Sequence, residues 1–389
     1  MRIGIDCRTI LNPGRGEQAG IGHYTYYLVK NLLRLDKKNE YVLFFDVRTD
    51  RERLQEFEQA NVTIKYFPFS QYRRFLPVAY SQILTAAYLY KERLDLYHAP
   101  ATSIPLSYRG RSVATVHDLA IYKHPRLFPS GQFVSTKLVV PRSIRRAKKI
   151  IAVSEATKRY LKQLFHVADR KIRVVYEGFT RERPGKPVVD VQNKYGLGDK
   201  IILFVGTIEP RKNLPGVIRG FASVANLPSM RKVELVLAGA PGWKYGEVIK
   251  AIRDVRLGHR VRYLGYIPHS DKVQLLERAM AFVFPSLYEG FGLPVLEAMS
   301  LGTPVITSNV SSLPEVAGTA AVFINPKKPR EIGLAMARLV GNTNLRKRLA
   351  SEGQRRAAMF TWDGAARETL QVYKEVLAGA VSRKRNSVR

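Results

Sequence analysis

One cysteine, Cys7, stands in 389 residues, so no intrachain disulfide can form and an oxidising compartment is not required. Its place in the opening apolar run reads as a buried thiol rather than a reactive one. Acidic residues are scarce: 32 Asp and Glu face 64 Lys and Arg, a net charge of +32 that attracts phosphates, anionic lipids or nucleic acid. Long hydrophobic runs are missing too. The longest, Phe75 to Tyr90, is about 16 residues and is interrupted by Pro77, Ser81, Gln82 and Thr85, short of the ~20 that a span needs. The N-terminus soon meets charge at Arg2 and Asp6 and shows neither the apolar region nor the cleavage site of a signal peptide. No Asp-x-Asp pair of the kind that holds a divalent metal under a diphosphate occurs, and no solenoid or propeller repeat is visible.

What is present is material for two packed cores: 46% hydrophobic and 10% aromatic residues over a length suited to two domains. Strand-like runs alternate with helical patterns, as in a parallel sheet covered on both faces. Arg2 to Cys7, Tyr41 to Phe45, Val62 to Phe67, Leu94 to His98, Ser112 to Val116, Lys149 to Val153 and Ile172 to Val175 form a first set. Lys200 to Val205, Val233 to Ala238, Val261 to Leu264, Ala281 to Pro285, Pro304 to Thr307 and Ala321 to Ile324 form a second. Between them the breaker-rich segment Arg181 to Pro187 reads as a linker. The expectation is an α/β chain of two doubly wound, Rossmann-like domains, 1–183 and 184–361, facing a ligand cleft at their strand ends. A helix at about 362–380 is expected to pack back on the first domain, and the basic tail from Ser382 to Arg389 is expected to fray.

The segment from Tyr288 to Ala298 sets Glu289 in a glycine-rich loop and Glu297 on a helix. Gly290 and Gly292 permit close backbone approach, and Pro294 suits a first helical turn whose N–H groups favour anions. On residues alone, an ordinary strand-loop-helix corner explains the pattern as well.

The same pattern, with Ala298 to Ile306 following, resembles the signature of retaining glycosyltransferases of family 4. Val205 to Leu214 and Ser311 to Val316 resemble further blocks of that family, and Gly20-Ile21-Gly22-His23-Tyr24 and Val116-His117-Asp118-Leu119 resemble its N-terminal ones. The resemblance runs along nearly the whole chain in the right order and implies a GT-B architecture. In it a nucleotide sugar lies mainly on the C-terminal domain, the acceptor mainly on the N-terminal one, and the chemistry takes place between them. By this resemblance Arg211 and Lys212 neutralise a diphosphate, a role their charges suit. Glu297 accepts hydrogen bonds from ribose hydroxyls, and Glu289 stabilises positive charge on the transferred sugar. Loop N–H groups around Gly290, Phe291, Gly292 and Leu293 position sugar hydroxyls, His117 contacts the donor sugar near its hydroxymethyl group, and Gly20 and Gly22 approach the diphosphate or acceptor. His23, His98, His124 and Glu315 are lesser candidates. Thr207 stands where many relatives carry Arg, and Ala19-Gly20 where a Gly-Gly pair is common.

The implied reaction is retaining, metal-independent transfer of a hexose to a glycan or polyprenyl-diphosphate-linked acceptor, giving an α-linkage, with GDP-mannose the leading donor and UDP-sugars the alternative. No cofactor is expected beyond the nucleotide-sugar donor. Between Lys137 and Arg173 stand about twelve Lys or Arg and two acidic residues, a patch suited to an anionic membrane surface; Phe75 to Tyr90 is then an interfacial helix. The expected location is cytoplasmic, with peripheral attachment to the inner face of the cytoplasmic membrane. A basic nucleic-acid-binding protein is the rival from another class, disfavoured because it leaves the paired glutamates unexplained. A sugar-nucleotide epimerase of similar fold is a further alternative.

Overall fold

A computed structural model describes residues 1–10, 20–67, 78–129, 135–180 and 190–386. The expected linker at 181–187, Ala19, and residues 75–77 of the apolar stretch lie outside the described residues.

Ile, Val, Leu and Phe runs bounded by polar residues form strands, the inner ones buried on both faces and the edge ones partly open, the pattern of parallel sheets. In the first half these are β1 (Arg2–Asp6), β2 (Glu40–Asp46), β3 (Val62–Phe67), β4 (Leu96–Ala99), β5 (Ser112–Val116), β6 (Lys149–Ala152) and β7 (Ile172–Val174). They pair in parallel in the order β3-β2-β1-β4-β5-β6-β7. In the second half β8 (Lys200–Val205), β9 (Val233–Ala238), β10 (Val261–Tyr263), β11 (Ala281–Phe284), β12 (Val305–Ser308) and β13 (Ala321–Ile324) give the order β10-β9-β8-β11-β12-β13, also parallel. Each order reverses once, between β1 and β4 and between β8 and β11. At such a reversal the loops leaving two neighbouring strands part and open a crevice at their carboxyl ends.

The chain divides into two compact units. The first comprises Met1–Tyr122, Ser130–Gly178 and Thr361–Arg389; the second comprises Lys123–Pro129 and Phe179–Phe360. The short Lys123–Pro129 piece thus groups with the second unit rather than with 1–183. Its His124 ring meets Tyr288 edge-on at 5.9 Å, a contact that sequence order does not reveal.

In the first unit the helix Gly20–Leu35 buries Tyr24, Leu28 and Leu32, spaced to share one face, with Leu33 widening the buried side. That helix packs on the closing helix Trp362–Asn386, whose Trp362 ring stacks on Tyr27 at 5.5 Å. The closing helix runs on through most of the expected frayed tail, to Asn386, there being no proline to stop it. Its Tyr373 is buried and reaches His98 on β4, Oη to Nδ1 2.6 Å. Ser154 caps the helix Glu155–Phe165, accepting the Thr157 N–H at 3.0 Å. Cys7 is fully buried; burial, then the Asp6 charge, pushes its thiol well above the ordinary value.

Much of the basic run in the first unit is matched within it. Lys149 pairs with Glu375 at 2.7 Å and Arg173 with Glu368 at 2.9 Å. Lys158 and Lys162 share Asp169, and Lys171 Nζ donates to the carbonyls of Ile144 and Arg145. The patch is therefore less one-sided than its sequence suggests. In the helix Val78–Lys91, Thr85, Ala86 and Leu89 are buried while Ile83 and Tyr90 are exposed, so one side serves the core. No helix among the described residues is long and apolar enough to cross a membrane.

Candidate active site

At the reversal in the second sheet, the loop leaving β8 carries Glu209, Arg211 and Lys212, and the loop leaving β11 carries Glu289. The two loops are tied by the Leu287 N–H donating to the Arg211 carbonyl at 2.8 Å. Asn213, in the left-handed region at φ 59, turns the chain from this loop into the helix Leu214–Val224, and its amide donates to the Pro326 carbonyl at 2.6 Å.

Glu289 stands between both cations. Lys212 Nζ lies 2.6 Å from its Oε1, and Arg211 Nη1 donates to its Oε2. Nε and Nη2 of Arg211 also hold Glu209, at 3.1 and 2.7 Å. Only 9% of the Glu289 and Lys212 side chains is exposed, so the ion pair is shielded from solvent. Burial alone raises the Glu289 carboxyl, but Lys212 and Arg211 outweigh it and hold the group below the ordinary carboxylate range. Burial, with Arg211 alongside, lowers the Lys212 ammonium despite Glu289. Its Nζ also lies 4.7 Å from the Phe284 ring centroid.

The Glu289 backbone is clamped from the segment after β12. Ser311, at φ 61, donates through its hydroxyl to the Glu289 carbonyl and accepts the Glu289 N–H at 3.2 Å. The buried Ser312 hydroxyl spans the carbonyls of Glu289 and Phe291 at 3.1 and 2.6 Å. Gly292 adopts φ 120, where a Cβ is strained and meets Leu313 at 2.9 Å. It precedes the helix Leu293–Ser300, whose N-terminal dipole favours negative charge. Glu297, on that helix, pairs with Lys272 at 3.2 Å and is more open, its side chain 32% exposed. Glu297, Lys272 and His269 line a small cavity of about 20 Å³, the space of one water.

The second unit thus brings together Arg211, Lys212 and Glu289, with Gly290, Phe291, Gly292, Leu293 and Glu297 following in the same loop and helix. In the first unit His117 follows β5, its Nδ1 2.9 Å from Glu177 Oε1 and its Nε2 2.9 Å from the Pro100 carbonyl. Gly20 opens its helix exposed at φ 72 with no neighbour crowding it among the described residues, while Gly22 is buried. Of the lesser candidates, His98 is fully buried, and burial lowers it to about 3; His23 lies among Tyr27 and Trp362. Sequence reasoning missed Glu177, Glu209 and Lys272, and gave Ser311 and Ser312 no role. The available signal for Glu177 and Glu209 was position alone, each being a carboxylate just beyond a strand.

Two parallel, doubly wound units with a buried cation-carboxylate cluster at the second crevice define the two-domain Rossmann-like fold of GT-B glycosyltransferases. The family described as "Glycosyl transferases group 1" matches residues 189–356, and "Glycosyltransferase Family 4" matches residues 19–183. O-antigen chain mannosyltransferase B of Escherichia coli is 31% identical over 367 residues, 91% of this chain and 96% of that protein. Among solved structures, sucrose-phosphate synthase from Thermosynechococcus elongatus superposes with a TM-score of 0.75 at 20% identity, over 97% of this chain and 99% of that one. Anabaena HepE in complex with UDP and glucose gives 0.71 at 19%, over 96% and 100%. The chain belongs to the group 1 glycosyltransferases of family 4, and it is a glycosyltransferase.

Proposed function

We propose that the protein transfers mannose from GDP-mannose, with retention and without a metal ion, to a glycan or polyprenyl-diphosphate-linked acceptor, forming an α-glycosidic bond. The observation that carries this reading is the cluster of part-buried Arg211 with buried Lys212 and Glu289 at the crevice between β8 and β11. Two cations held in a low-dielectric site are matched to a diphosphate whose charge grows as it leaves, so they serve where a metal would otherwise be needed. Glu289, kept ionised, faces the positive charge that develops on the sugar as its bond to phosphate breaks. The reaction is a same-side displacement in which the leaving phosphate assists the incoming hydroxyl. Glu297 accepts from the ribose hydroxyls, exchanging its Lys272 contact for them. The loop N–H groups of Gly290 to Leu293 orient the sugar, His117 contacts it, and Gly20 and Gly22 serve the diphosphate or acceptor.

Mannose is favoured by the similarity to the E. coli mannosyltransferase. A UDP-sugar donor is the second reading, favoured by the UDP and glucose bound in the similar HepE structure. Basic side chains of the first unit such as Arg142 and Arg145 are assigned to an anionic membrane surface at the cytoplasmic face, where the lipid-linked acceptor resides.

Thermal stabilisation by GDP-, UDP-, dTDP- and ADP-sugars, with and without EDTA, tests the donor, because a ligand that binds only the folded chain raises its melting temperature. Stabilisation by GDP-mannose that EDTA leaves unchanged is the expected result. Stabilisation by UDP-sugars alone moves the donor to the second reading, and a response abolished by EDTA overturns metal independence.

A further inference from the structure

His98 and His117 belong to the same unit and differ in what faces their ring nitrogens. His98 has two hydroxyls, Tyr373 Oη at 2.6 Å and Thr115 Oγ1 at 2.8 Å. A hydroxyl gives or takes a proton, so a neutral ring satisfies both bonds. His117 has a carboxylate oxygen of Glu177 and the Pro100 carbonyl, each at 2.9 Å. An ionised carboxylate and a peptide carbonyl only accept. With Glu177 ionised, both bonds exist together only when each ring nitrogen carries a hydrogen and the ring bears a positive charge, which Glu177 balances; the other arrangement places one proton on Glu177 and leaves the ring neutral. The side chains are 14% and 7% exposed, and at such burial an unbalanced charge is expensive.

Among the described residues, Tyr24 and Thr157 also hold His117, neither through its ring nitrogens. Tyr24 meets it edge-on at 4.6 Å, and Thr157 Oγ1 donates to the His117 carbonyl at 3.2 Å. The neighbouring Asp118 carboxylate accepts the Ala120 N–H at 3.0 Å, and burial lowers the His98 ring well below its ordinary value. Glu177 itself is anchored through Val175, whose N–H donates to the Ala152 carbonyl at 3.0 Å.

We propose that Glu177 is the positioning residue for His117, holding the imidazole doubly protonated and fixed in orientation so that it offers the donor an oriented positive charge rather than a base. This rests on the proposed function for its consequence in catalysis, though not for the state of the ring. Glu177→Gln keeps the shape and removes the charge. Its amide then donates to Nδ1, and a ring with a single proton on Nε2 satisfies Pro100.

The test combines nitrogen NMR of the histidine-labelled full chain, with His117→Phe identifying the signal, and initial transfer rates against pH with the donor found by the stabilisation panel. Near neutral pH both His117 nitrogens of the wild type are expected to be protonated, and one is expected to lose its proton in Glu177→Gln. A wild-type ring with one proton overturns the proposal. Glu177→Gln is expected to lose ~10-fold or more in kcat/KM at about pH 8, with part of the loss recovered near pH 6 as solvent restores the ring proton. Glu177→Asp is expected to rescue most of it. An equal loss at every pH, with a lowered Tm, marks a merely structural residue and overturns the positioning role. If Glu177→Gln does not fold, Glu177→Asp carries the spectra, and a neutral ring there also overturns it. A doubly protonated ring in a wild type without transfer activity refutes the proposed function and leaves the pair standing.

Discussion

Glu289 and Glu297 stand eight positions apart in one motif, yet the fold gives them opposite settings. Glu289 lies on a loop whose carbonyls are clamped by two serines, its carboxylate shared by a lysine and an arginine. Glu297 lies on a helix with a single lysine at 3.2 Å and a third of its side chain open. The difference teaches that a carboxylate's task follows from how many charges surround it and whether water can replace them. A shielded, doubly paired group keeps its charge as a reaction proceeds, while a half-open one exchanges partners readily and suits reversible binding.

The sharpest way to break this comparison is to neutralise each member. Glu289→Gln is expected to lower kcat by ~10²- to 10³-fold while leaving nucleoside diphosphate affinity nearly intact, measured by steady-state rates and calorimetry. A fall confined to KM removes the distinction between the two glutamates. The same variant carries a pH signature. Because the folded carboxyl sits below its ordinary 4.5, its stabilising contribution is present above that value and is lost as pH falls through it toward the folded value. The stability gap between wild type and Glu289→Gln should therefore shrink in acid, as read by denaturant unfolding across pH.

Lys212→Ala comes next. It takes one of two cations from a buried carboxylate and is expected to cost about 3 kcal/mol of folding stability, the low end for breaking a buried pair because Arg211 remains. It should also weaken nucleotide binding; unchanged donor affinity removes Lys212 from the diphosphate site. The smallest effect belongs to Glu297→Gln, expected to change stability by less than ~1 kcal/mol, as a part-exposed pair does, and to weaken nucleotide binding about tenfold, roughly the worth of a charge-assisted hydrogen bond. A stability loss as large as that of Lys212→Ala shows that Glu297 is held as rigidly as Glu289.

The strands were legible because hydrophobic runs fix them locally. Lys200 to Val205 and Val233 to Ala238 end where expected, and Leu94 to His98 shifts by two residues at its start. Arg211, Lys212, Glu289 and Glu297 stand out through their two sequence blocks, and the fold brings the first three together. What the sequence conceals is pairing across distance. Arg173 meets Glu368 from 195 positions away, so a run that reads as an unopposed basic patch is partly neutralised by a helix at the other end of the chain. His117 and Glu177 are separated by 60 positions, and nothing local to either tells that the ring's partners only accept. His124, in a piece that groups with the second unit, likewise meets Tyr288 far along the chain.

Cys7 gives the experimenter a silent background. The chain's one thiol is sealed in the core, and the surrounding burial and the Asp6 charge keep it from ionising near neutrality. A cysteine introduced on any exposed position therefore becomes the single addressable handle for a fluorophore or spin label without removing the native one. A pair of such handles, one on each unit, makes the distance between them, and its change when a nucleotide sugar binds, directly measurable.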